Sequence, residues 1–76
     1  MDIIKKGRYL HFKDKSYELV DIVFHSETQK ELVLYKQLYK SNTHDIGTLW
    51  VRPKEMFFEN VEVNGKKVPR FKYIGK

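Results

Sequence analysis

A chain of 76 residues makes one small domain, able to hide only about 60% of the surface its unfolded form exposes. With no cysteine, disulfides, thiolate catalysis and cysteine-based zinc sites are excluded. The formal charge of +5 is unevenly spread: residues 1–63 balance ten Lys/Arg against ten Asp/Glu, while residues 64–76 hold Lys66, Lys67, Arg70, Lys72 and Lys76 with no acid.

The opening "MDIIKKGRYL" lacks the apolar core of a secretory signal, and no later stretch reaches the roughly 18 apolar residues of a spanning helix. A soluble cytoplasmic protein with no membrane contact is expected, as one domain over residues 1–76. "RYLHF" (Arg8 to Phe12) reads as a first strand and "KDKS" as the turn after it. "YELVDIVFH" (Tyr17 to His25) is the second strand. Its apolar face switches between Leu19 and Val20, which predicts a bulge or bend there. "SETQK" supplies a hairpin loop, and "ELVLYKQLY" (Glu31 to Tyr39) returns as the third strand. Leu32, Leu34 and Leu38 lie on one face of that strand, with Val33, Tyr35, Gln37 and Tyr39 on the other.

"KSNTHDIG" is a long polar loop and "TLWVR" a fourth strand, with Leu49 and Val51 opposite Trp50 and Arg52. Pro53 cannot donate to a ladder, so "PKEMF" reads as one helical turn. "FENVEV" starts the fifth strand, and Asn64-Gly65 signals a type I′ hairpin. The closing "KKVPRFKYI" pairs back through it, with Pro69 at an edge or bulge. This order of elements points to an all-β, SH3-like small barrel of five to six antiparallel strands with one short helical turn after Pro53. An open antiparallel sheet curled over its own core is the alternative. The expected core is Leu19, Ile22, Leu34, Leu49, Val51 and Val61, with Tyr9, Phe12, Phe57, Phe58 and Phe71 as further core aromatics.

The strings "YLHFKDKSYEL", "HSETQKELVLYKQLY" and "LWVRPKEMFFENV", followed by "VPRFKYI", resemble a family of short, mostly bacterial proteins known as domain of unknown function sixteen-fifty-three. The resemblance runs from about residue 7 to residue 74 and is carried by HSET together with WVRPxxMF. It implies a compact β domain and brings no activity, cofactor or catalytic residue with it.

His25 and Glu27 share a face of an extended chain, so a His-Glu pair with Ser26 or a water as the activated group is one chemical reading of HSET. Ser26 would then lie on the opposite face from its base, and a small barrel offers little concavity for a hydrolase. A hairpin corner, with the Ser26 and Thr28 hydroxyls bonding local backbone, is the favoured reading. The histidines His11, His25 and His44 have no metal-ligand spacing, and the four glycines form no phosphate loop, so no metal or other cofactor is expected.

The remaining signal is aromatic and cationic. Trp50 and Arg52, with Tyr35 and Tyr39 on the neighbouring strand, form a platform that can stack bases or hold a peptide, and Lys66, Lys67, Arg70 and Lys72 form a stripe that can meet phosphate. The plainer reading places Trp50 over the end of the barrel beneath the long loop, pairs Arg52 with Glu55 or Glu59, and makes the lysines guards of an edge strand. The expectation is a non-enzymatic binding module for nucleic acid or a nucleic-acid-associated complex. A peptide-binding or protein-interaction adaptor is the alternative.

Overall fold

The computed structural model describes residues 4–76. Its elements are β1 (Gly7–His11), β2 (Ser16–Phe24), β3 (Glu31–Gln37), β4 (Leu49–Pro53), α1 (Lys54–Phe57), β5 (Asn60–Val63), β6 (Lys66–Pro69) and β7 (Phe71–Gly75). All strand pairs are antiparallel. The larger sheet runs β4-β3-β2-β1-β7, and β5 pairs with β6 in a sheet of two.

The all-β class stands, with two corrections. The described residues form seven strands, because the closing segment breaks at Arg70: β6 completes the hairpin with β5, and β7 moves to the other sheet to pair with β1. The expected barrel is also not closed, since β4 and β7 are opposite edges of the larger sheet. Curvature brings the inner sides of those edges near each other. The Arg52 guanidinium on β4 lies 5.8 Å from the centre of the Phe71 ring on β7.

Curvature has a local source in β2. Leu19 stands opposite Tyr35 and Asp21 opposite Leu34, so Val20 is the extra residue of a bulge. Without it Asp21 would follow Leu19 onto the inner face; with it Ile22 takes that place opposite buried Val33.

The core consists of Tyr9, Leu19, Val33, Tyr35, Phe57 and Phe71, with Ile4, Tyr17, Ile22 and Tyr73 packed against it. Phe57, delivered by the helical turn, stacks on Phe71 with centroids 4.0 Å apart and planes at 3°. Tyr9 and Tyr35 meet the Phe57 ring at 5.4 and 5.3 Å.

The expected facing of β3 and β4 is reversed. Val33, Tyr35 and Gln37 are buried, whereas Leu34 is only partly covered and Leu49 and Val51 are 59% and 54% exposed. Of the expected core, Leu19 is buried and Ile22 packs against it, while Val61 is half-buried in the β5–β6 hairpin. Phe58 is exposed at the edge of the aromatic cluster, and Phe12 is half-buried outside it. An aromatic interior wins because tyrosine covers far more area than leucine, provided its hydroxyl finds a partner.

The Asn64-Gly65 turn has φ of 52° and 79° at its two central residues, as a type I′ turn demands. Gly65→Val forces a β-branched residue into that region and should lower stability by about 1–3 kcal/mol. A thermal melt checks this, and an unchanged midpoint would mean the hairpin tolerates another turn.

Candidate functional site

Tyr35 on β3 stands directly opposite Trp50 on β4, and Arg52 follows two residues later on the same face. With Tyr17 from β2 they line a cleft of about 180 Å³ on the inner side of the sheet. Three of the expected ligand-binding residues therefore converge. They do so on the inner face, where Tyr35 is 5% exposed and Trp50 36%. Tyr39, the fourth, joins through a hydroxyl pair with Tyr17 at 2.7 Å.

Trp50 is held by a residue that the sequence did not single out. Gln37 is 2% exposed. Its Nε2 donates to the carbonyls of Tyr39 and His44 at 2.9 and 3.1 Å, and its Oε1 accepts from Trp50 Nε1 at 3.0 Å. One amide thus ties the long loop to the indole, against which the His44 ring packs edge-on at 4.7 Å. The signal was present in the strand period, since Gln37 follows Tyr35 by two. Tyr17 was legible in the same way, two residues before inward-facing Leu19.

The charge in the cleft is Arg52. Its Nε donates to the Tyr35 hydroxyl at 3.4 Å and its guanidinium lies over Phe71. Among the described residues no carboxylate pairs with it, because Glu59 is taken by Arg70 at 2.6 Å and Glu55 is exposed elsewhere on α1. The donors of the cleft exceed its acceptors. Both Arg52 terminal nitrogens and the Tyr35 hydroxyl proton are unspent within the described residues, and the Tyr17–Tyr39 pair uses one of its two protons. Burial, then the bond to Tyr39, pushes the Tyr17 hydroxyl well above its ordinary value of 10.0, which itself already keeps a phenol protonated at neutral pH. An acid-free set of donors around a half-buried guanidinium suits an oxyanion.

The basic stripe is not one surface with this cleft. Lys66 and Lys72 line a separate groove of about 530 Å³ with Leu10, Phe12, Val63, Val68 and Pro69. Lys67 is exposed opposite Glu62. Arg70 is committed to Glu59 through both Nε and Nη2, and its backbone N–H donates to the Glu59 carbonyl.

His25, Ser26 and Glu27 are exposed in the β2–β3 corner. The His25 Nδ1 accepts the backbone N–H of Glu27 at 3.1 Å and of Thr28 at 3.3 Å, and Thr28 Oγ1 accepts that of Lys30 at 3.3 Å. The ring nitrogen that general base work would use is thus capping the turn. Thr28 bonds local backbone as expected, while the role expected of the Ser26 hydroxyl is filled by the His25 ring. Among the described residues no cluster of His, Asp or Glu is arranged to hold a metal, and no helix is long and apolar enough to cross a membrane.

His11 lies between cleft and groove, lining the groove and meeting Tyr17 and Phe71 at 6.2 and 4.9 Å. Burial, reinforced by Arg52, Arg70 and Lys13, holds its pKa below the ordinary 6.5. Between the folded and unfolded values the unfolded chain binds the proton better. The contribution to stability is therefore full above about pH 6.5 and declines as pH falls through the lower folded value. His11→Gln should flatten the pH 7 to pH 5 part of the melting profile, and parallel profiles for variant and parent would refute this.

A family model described as protein of unknown function, DUF1653, matches residues 7–73. The chain belongs to the DUF1653 family. The crystal structure of a DUF1653 protein from Bordetella bronchiseptica is similar, with a TM-score of 0.84 and 26% sequence identity over 95% of this chain and 88% of that one. No curated protein matches the chain. The matched span contains the bulge, the Gln37 latch, the cleft residues and the Asn64-Gly65 turn, so the candidate site lies within the stretch that the family model covers.

Proposed function

We propose that this DUF1653 protein is a nucleic-acid-binding module in which Arg52 takes a phosphate and Trp50 supplies an aromatic surface for the adjoining base. The observation that carries the reading is the donor-rich, acid-free cleft around Arg52. A half-buried guanidinium without a carboxylate is stabilised by an incoming oxyanion, and base–aromatic stacking adds about 1–3 kcal/mol. Exposed Lys66, Lys67 and Lys72 raise the local concentration of a polyanion without touching the cleft.

Trp50 is the chain's single tryptophan, so its emission reports the cleft directly. Single-stranded oligothymidylate should quench it, with binding weakening as salt rises at a log-log slope of about −0.7 per neutralised phosphate. Arg52→Gln removes a charged hydrogen bond and should weaken binding by about 1.5–3 kcal/mol. No quenching by any oligonucleotide would overturn the reading. The apolar lining of the second groove favours the alternative, a peptide-binding adaptor. That reading predicts binding of apolar peptides with little salt dependence.

A further inference from the structure

We infer that the Arg52 cleft recognises a terminal phosphomonoester of a single-stranded oligonucleotide, not an internal phosphodiester. The inference rests on the nucleic-acid reading and narrows it to a chain end. Proteins that track a strand along its length line a groove with successive cations. Here the cleft holds one. Lys66 and Lys72 belong to the other groove, and Arg70 is neutralised by Glu59. One lining cation in a space of about 180 Å³ matches one phosphate group, and the next positive charge, Lys15, lies outside the lining with its Nζ 5.3 Å from the centre of the Tyr39 ring.

The donor inventory points the same way. A phosphodiester carries a single negative charge on two non-bridging oxygens, whereas a monoester carries about −1.5 to −2 near pH 7 on three. The two terminal nitrogens of Arg52, the Tyr35 hydroxyl and the Tyr17–Tyr39 pair approach from three strands or their ends, so a third oxygen has a donor to meet. No carboxylate lines the cleft to repel the second charge. Trp50, fixed by Gln37, is placed for the terminal base, which has no neighbour on one side and is free to stack.

The test uses the full chain and Trp50 emission, with tetrathymidylate bearing a 5′-phosphate, a 3′-phosphate or neither, and with a phosphoserine peptide. One of the phosphorylated oligonucleotides should bind at least tenfold more tightly than the unphosphorylated one. The preference should shrink between pH 7 and pH 5 as the monoester gains a proton, its second pKa being about 6. Arg52→Gln should erase the preference. Tyr35→Phe, which keeps the ring in the core and deletes only the hydroxyl, should reduce it several-fold, and serves as the second variant should Arg52→Gln fold poorly. Equal binding with and without a terminal phosphate overturns the inference but leaves the nucleic-acid reading standing. Absence of quenching by all three oligonucleotides overturns both. Binding of the phosphopeptide as tight as that of the best oligonucleotide overturns recognition of a nucleic-acid end and makes the cleft a phosphate site for protein.

Discussion

Phe57→Ala should destabilise the domain by about 3–5 kcal/mol, a large share of its total stability. Phe57 is fully buried, stacks on Phe71 and meets Tyr9 and Tyr35. Truncation removes the transfer energy of a phenyl ring and leaves a void walled by three rigid rings that cannot collapse into it. At about 0.05–0.15 kcal/mol per residue a domain of this length has roughly 4–11 kcal/mol in total, so the loss consumes a large share. Leu34→Ala, on the outer face, should cost far less, under about 1.5 kcal/mol. Chemical denaturation of both variants checks the pair. A larger loss for Leu34→Ala than for Phe57→Ala would reverse the assigned facing of β3.

Gln37→Leu should be the second most damaging change, although it swaps a polar side chain for an apolar one of similar size in a buried place. The Tyr39 carbonyl and the indole N–H of Trp50 lose their partner, while the His44 carbonyl loses one donor and keeps Ser41. Each buried group left unmatched costs about 1–3 kcal/mol. Opening of the loop to water relieves some of them, so a net loss of about 2–3 kcal/mol is expected. The Trp50 emission should move to the red as the loop loosens. Gln37→Glu keeps an acceptor for the indole but turns its second oxygen on two carbonyls, and should be no better tolerated. A stable Gln37→Leu protein with unshifted emission would show that the amide does not hold the loop.

Features fixed by local chemistry were legible in the sequence. The bulge at Val20 followed from an apolar face that changes sides, the helical turn from Pro53, and the turn at Asn64-Gly65 from the need for positive φ. The facing of β3 was not legible, because both faces carry bulky residues and hydropathy alone favours Leu32 and Leu34. What decides it is distant: the Tyr35 hydroxyl accepts from Arg52, and the Gln37 amide serves Trp50 and the loop carbonyls. Polar atoms that look unfit for a core become acceptable once partners from other segments arrive. The grouping of Tyr35, Trp50 and Arg52 survived the reversal because shared facing depends only on strand period and register. The division of the basic residues was not readable either. Arg70 is claimed by Glu59, eleven residues earlier, and that pairing sits where the closing segment leaves one sheet for the other.

The stacking of Phe57 on Phe71 also bears on the order in which the molecule assembles. The hairpins β2–β3 and β5–β6 join residues close in sequence and can form early, each marginal alone. The core needs Tyr9 from the first strand, Phe57 from the helical turn and Phe71 from the last, and β1 completes its pairing only against β7. Until β7 is in place the core lacks Phe71 and β1 lacks its second partner, and the loop closed by the β1–β7 pairing is the longest of any strand pair, with the largest closure entropy.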